Sequence, residues 1–137
     1  MRSISSICAA AIILADWPNL DRHNVIDRAR AELRHALEEG GPARADAEFA
    51  LGNGPVEQRL RSAILALATR RGPQRTICPS DAARAVGGKS WRALTGDARE
   101  LARELAKSGA VQITQRGEVL DADGPWRGPI RIGITGN

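Results

Sequence analysis

"WRALTGDARELARELAKSGAVQITQRG", residues 91–117, changes its hydrophobic period in mid-course, and that change decides the fold class. Leu94, Ala98, Leu101, Ala102 and Leu105 recur at spacings of three and four, leaving Arg99, Glu100, Arg103, Glu104 and Lys107 off the stripe. This predicts an amphipathic helix from Trp91 to Ser108, with Thr95 as an internal N-cap and Gly109 as its stop. Beyond Gly109, Val111 and Ile113 alternate with Gln112 and Thr114, which is the pattern of a half-buried strand. Arg116-Gly117 sits in a turn, "EVL" at 118–120 follows, and "PIRIGI" at 129–134 alternates Ile130, Ile132 and Ile134. Two or three short antiparallel strands are expected, joined by the nine-residue Asp/Gly/Pro loop "DADGPWRGP" at 121–129.

Upstream, Val56 to Arg71 is helical in pattern, with Leu60, Ala63, Ile64, Leu67 and Ala68 on one face and Gly72-Pro73 ending it. Pro is favoured at the first helical position and an acid in the first turn, so Pro79, Ser80 and Asp81 predict a short helix through Val86 with Cys78 at its N-cap. Gly87-Gly88 closes it. Helix, short helix, tight glycine turn, longer helix and β-hairpin in that order predict an α+β fold, a winged helix-turn-helix domain over residues 55–137.

Residues 1–54 are expected to form an additional N-terminal segment, bounded by the Gly/Pro signal "GNGP" at 52–55. Within it, Asn24 with Asp27 resembles a capping box, and Val25, Ile26, Ala29, Leu33, Ala36 and Leu37 form a stripe. A helix over 24–39 follows, ending at Gly40-Gly41-Pro42. Such a segment fits either a helix that pairs subunits into a homodimer or a start assigned too far upstream.

The apolar run "ICAAAIILA" at 7–15 is about half a membrane span and excludes a bilayer-crossing helix there. A secretory signal is disfavoured by the single arginine before it and by Asp16-Trp17-Pro18 after it, so a buried strand or short helix is expected. Two cysteines 70 positions apart make neither a disulfide framework nor a cysteine-rich metal site, which points to a reducing, cytoplasmic setting.

Three Trp, one Phe and no Tyr leave almost no stacking platform for single-stranded nucleic acid. The net charge of +4 is unevenly placed: residues 1–55 hold six Arg against eight acids, and residues 56–137 hold twelve Arg and two Lys against eight acids. A basic C-terminal part suits a polyanionic partner. Arginine makes up 18 of the 20 basic residues, which a GC-rich coding bias would also produce.

Signs of catalysis are sparse. "GGKS" at 87–90 lacks the opening glycine of a phosphate-binding P-loop, because position 83 is Ala83, and it follows a helix where the motif needs a strand. His23 and His35 fall about 120° apart on a helix and cannot share a metal. No nucleophile elbow occurs. Cys78 alone suggests reactivity, since a helix N-terminus with Arg75 and Arg84 nearby favours a thiolate, but cysteine is also one of the most buried residue types. No enzyme activity, cofactor or metal is expected.

Placement favours double-stranded DNA. Lys89, Arg92, Arg99, Arg103 and Lys107 lie at or along the second helix of the helix-turn-helix, and Arg116 and Arg127 lie in the hairpin turn and long loop. In this fold that helix enters the major groove while basic side chains hold phosphates. Asp97, Glu100 and Glu104 interleave with those residues and offer ordinary surface pairing instead. Two alternatives stand beside a DNA-binding regulator. One is a protein-interaction module presenting Trp91 and Trp126, and the other a thiol-based sensor or enzyme, which needs a cavity beside Cys78.

"ILALATRRGPQRTICPSDAARAVGG", residues 91–117 and "RGPIRI" together resemble a family of small bacterial proteins, a domain of unknown function with a winged-helix-like fold. The resemblance covers roughly residues 56–134 and implies a bacterial, cytoplasmic protein with that fold, and no particular activity. By position it marks Cys78, Pro79, Ser80, Ala83, Arg84, Trp91, Arg127, Gly128, Pro129 and Arg131.

Overall fold

The computed structural model describes residues 17–134, and side chains from Arg28 onward. The apolar run at 7–15 with Cys8, and the side chains of His23 and Asn24, lie outside the described residues. Among the described residues, five α-helices precede a small sheet: α1 (Trp17–Glu39), α2 (Arg44–Leu51), α3 (Val56–Arg71), α4 (Pro79–Gly87) and α5 (Trp91–Ser108), with a 3-10 turn at Gly88–Ser90 between the last two. The strands are β1 (Gln112–Gln115), β2 (Glu118–Val119) and β3 (Arg131–Gly133). The chain is α+β, as its change of period predicts.

Local chemistry explains the boundaries. Cys78 adopts an extended N-cap conformation, Pro79 occupies the first turn of α4, and the Asp81 carboxylate accepts the Cys78 backbone N–H at 3.0 Å. α5 ends in a left-handed Gly109, whose N–H bonds Ala106 O while Ala110 N–H reaches Leu105 O. Arg116 and Gly117 both take positive φ, the conformation of a two-residue hairpin turn that matches strand twist.

The sheet order is β2-β1-β3, antiparallel throughout, with Ile113 opposite Ile132 and Thr114 opposite Val119. Ile77 extends it by one residue, exchanging two backbone hydrogen bonds with Ile132 at 2.8 and 2.7 Å. Ile77, Ile113, Ile130 and Ile132 are fully buried and seal the sheet against Leu60, Ile64 and Leu67 of α3 and Leu101 and Leu105 of α5.

Three differences from the sequence reading have physical causes. The first helix begins at Trp17 and runs through Asn24, with Pro18 in its first turn, where proline is tolerated because the N–H it lacks would have no partner. A further helix, α2, fills the interval between the two Gly/Pro loops, burying Ala47 and Ala50; its eight residues are too few to display a period clearly. Thr95 is interior to α5, its hydroxyl donating back to Trp91 O at 3.4 Å instead of capping.

The N-terminal helices share the interior with the rest of the chain. Ala29, Leu33 and Ala36 of α1 and Ala43, Ala47 and Ala50 around α2 belong to the same buried cluster as the isoleucines of the sheet. α1 packs against α2, α3 and α4. Ala29, Leu33 and Ala36 of its apolar stripe are thus covered within the chain and Leu37 packs against the same cluster, while the side chains of Val25 and Ile26 lie outside the described residues. Among the described residues, no helix is long and apolar enough to cross a membrane.

Candidate functional site

α5 presents three longitudinal faces. Ala98, Leu101, Ala102 and Leu105 face the core. On one flank Arg99, Arg103 and Lys107, each one turn from the next, meet the long loop. Arg99 donates to Gly128 O at 2.9 Å and Trp126 O at 2.8 Å, and Arg103 donates to Ala122 O at 2.6 Å and Gly124 O at 2.8 Å. Trp126 receives both guanidiniums, with Arg103 at 4.0 Å and Arg99 at 6.0 Å from its ring centre, while its indole N–H donates to Asp121 O at 2.9 Å. Lys107 pairs with Asp123 at 3.1 Å. Three of the basic residues expected to meet phosphate are therefore turned onto the protein's own loop.

On the other flank Asp97, Glu100 and Glu104, with Glu57 and Val56 of α3, line a groove of about 220 Å³. The interleaved charges of the sequence thus separate by side in space, with Glu100 and Arg103 approaching only to 3.9 Å. Of the basic residues expected to meet phosphate, those left outward are Lys89 in the 3-10 turn, Arg92 at the start of α5 beside exposed Ala93 and Gly96, and Arg116 and Arg127 in the hairpin region. Gln115 fixes the chain around Arg127, its side-chain amide donating to Arg127 O and, at 3.0 Å, to Pro129 O.

The residues marked by the resemblance converge on two places. Arg127, Gly128 and Pro129 form the part of the loop clamped by Arg99 and Gln115, where Gly128 needs its positive φ of 77°. Cys78, Arg84 and Arg131 meet at a cavity of about 230 Å³, which Arg28, Ala29 and Glu32 of α1, Arg71 of α3 and Asp81 also line. Pro79 and Ala83 are buried, and Ser80 is half-buried. Trp91 is half-buried, held between Arg84 at 4.4 Å and Arg92 at 4.9 Å.

Arg131 ties this cavity to the sheet edge, donating to Thr76 Oγ1 at 2.8 Å and Thr76 O at 3.0 Å and contacting the Cys78 thiol. Arg71 grips Glu32 with two hydrogen bonds of 2.8 and 2.9 Å and also donates to Thr76 O at 2.8 Å. Burial works to raise the Glu32 pKa, but the Arg71 hydrogen bond and the charges of Arg71, Arg70 and Arg75 outweigh it and hold the carboxyl below its ordinary range. The same hydrogen bond, opposed by burial and helped by the charges of Glu32 and Asp81, raises the pKa of Arg71. The pair is ionised on both sides.

Sequence reasoning did not find Arg28, Glu32 or Arg71, because residues 28, 32, 71, 78 and 131 carry no common spacing and meet only through tertiary packing. The same holds for a second basic cavity of about 300 Å³, lined by Arg30, Arg34, Leu51, Gly52, Asn53 and Arg59. Among the described residues no three His, Cys, Asp or Glu side chains gather as a metal site.

The molecule is thus an α+β protein with a helix-and-hairpin unit locked by arginines and an arginine-lined cavity behind it. Residues 57–135 match the family described as "Protein of unknown function (DUF3253)", and the chain belongs to that family. No curated protein matches the chain.

Proposed function

We propose that this is a winged-helix protein that binds double-stranded DNA through the start of α5 and the hairpin. The reading takes α3, α4 and α5 as the three helices of the motif, and Ile77, β3 and β1 as its three-stranded sheet, with β2 added outside. In such domains the N-terminal residues of the second motif helix reach base edges while the wing and nearby cations hold phosphates. The observation that carries the proposal is the double clamp of Arg99 and Arg103 on loop 121–129. It makes helix and wing one rigid unit that leaves Arg127, Arg116, Arg92 and Lys89 exposed. Small Ala93 and Gly96 on the exposed start of α5 permit close approach of a duplex.

An interaction module presenting its tryptophans draws little support, since Trp126 and Trp91 are half-buried and each is stacked by two guanidiniums. Binding to mixed-sequence duplex DNA at several salt concentrations tests the DNA reading. Replacing Lys89, Arg92, Arg116 and Arg127 by Gln should weaken binding and flatten the slope of log K against log salt by roughly 0.9 for each phosphate no longer neutralised. A slope unchanged in the fourfold variant sinks the proposal.

A further inference from the structure

We propose that the cavity at Cys78 binds a small oxyanion of the phosphate class, a ligand site separate from the DNA-facing surface. Four guanidiniums and two carboxylates line it. Glu32 and Arg71 satisfy each other through their paired hydrogen bonds, Asp81 lies 3.6 Å from Arg71 and 3.8 Å from Arg84, and Arg131 donates to Thr76 and Cys78, so the four guanidiniums of the lining outnumber its two carboxylates. The inner part of the site is shielded, Asp81 being 21% and Arg84 25% exposed, while Arg28 and Arg131 stand at its exposed rim, so the charge of Arg84 is the one least screened by water. An anion offsets that charge, and guanidiniums present paired N–H donors in the geometry that tetrahedral oxyanions accept.

A second observation points the same way. Among the described side chains, one buried polar atom has no hydrogen-bond partner, and it is Nε of Arg84 in the wall of this cavity. Buried donors are normally satisfied, and an oxyanion held at the terminal nitrogens of Arg84 offsets the charge of a guanidinium whose solvent-inaccessible Nε has no acceptor. The volume of about 230 Å³ is below the roughly 300–1,000 Å³ of sites for drug-sized ligands, which selects a free ion or a short phosphomonoester. α1, α3, α4 and β3 each contribute a residue, so the occupied site ties the N-terminal helix to the scaffold of the motif.

Cys78 reports on occupancy. Only its thiolate is alkylated, and an anion beside it both blocks access and opposes thiolate formation. The full chain is treated with iodoacetamide in sodium phosphate or in sodium chloride of equal ionic strength, and modification is read on the peptide containing Cys78, which separates it from Cys8. At a phosphate concentration ten times its half-saturating value, labelling of Cys78 should slow about tenfold and Tm should rise above that in chloride. Arg28→Gln, on the exposed rim, and Arg84→Gln should each weaken protection. Glycerol phosphate protecting as well as phosphate assigns a phosphomonoester, and protection by phosphate alone assigns the free ion. Equal labelling in phosphate and chloride, or protection undiminished in the Arg28→Gln/Arg84→Gln double variant, overturns the site. DNA is absent throughout, so failure of the DNA reading leaves this outcome unaffected.

Discussion

The guanidinium of Arg103 lies 4.0 Å from the ring centre of Trp126 while donating to the carbonyls of Ala122 and Gly124, so one side chain holds a nine-residue loop by its face and by its edge. Charge-assisted hydrogen bonds and a stacked cation each exceed an ordinary surface contact.

Arg103→Ala should therefore lower unfolding free energy by about 1–2 kcal/mol and expose loop 121–129 to limited proteolysis. Arg103→Lys should rescue little, because a compact ammonium cannot lie flat on the indole of Trp126 as the planar guanidinium does. Arg99 shares Trp126, so the Arg99→Ala/Arg103→Ala double variant should lose less than the sum of the singles in urea titrations. Additive losses would show that the two arginines act independently.

The Glu32–Arg71 pair predicts an acid-sensitive contribution to stability. The folded pKa of Glu32 lies below its ordinary 4.5, so the pair's contribution is complete above about pH 4.5 and is lost as pH falls through the folded value. The side chains are 13% and 20% exposed, and Glu32→Gln should cost about 1–3 kcal/mol at pH 7. That difference should shrink on acidification below the folded pKa. A constant difference from pH 7 to pH 3 would show that Glu32 contributes by packing and not by charge.

Asp46 has the opposite sign. Burial raises its pKa despite a hydrogen bond from Ser62, so its ionised form weakens the fold at neutral pH and the penalty disappears as pH falls through the raised value. Asp46→Asn should raise Tm slightly at pH 7, corresponding to no more than ~0.5 kcal/mol, and have no effect at pH 3. A lower Tm at pH 7 would mean that the carboxylate acts chiefly as a partner for Ser62.

Two glycines of α5 should respond in opposite directions. Gly109 sits at φ 86°, so Gly109→Ala should cost about 1 kcal/mol through strain at the helix cap. Gly96 is exposed inside the helix with no atom within 4 Å of an added methyl, and Gly96→Ala should gain roughly 0.5–1 kcal/mol. Thermal unfolding of both variants checks the contrast. If Gly96 lies against DNA as proposed, Gly96→Ala should also weaken DNA binding while strengthening the fold.

Elements with strong local signals were legible in the sequence. The stripe of Leu94, Ala98, Leu101, Ala102 and Leu105 and the Gly109 stop set α5, and Cys78-Pro79-Ser80-Asp81 set the start of α4, because caps and periods are written in adjacent residues. α2 was hidden because eight residues span little more than two turns, and the one-residue strand at Ile77 because pairing with Ile132 needs the tertiary fold. The basic residues of α5 were correctly placed along the helix, but their engagement was not visible. Whether Arg99 faces water or Trp126 depends on where loop 121–129 lies, and no local pattern encodes that position. The cavity joins residues 28 to 131 and was out of reach for the same reason.

The separation of charge across α5 gives the helix a sideways polarity. Its acidic flank, Asp97, Glu100 and Glu104, repels any long polyanion, while Lys89, Arg92, Arg116 and Arg127 attract it. On the proposed DNA reading, a duplex nearing from the acidic side would be repelled before contact and one nearing from the basic side drawn into place. The carboxylates that weaken α5 as a phosphate surface thus make it a compass.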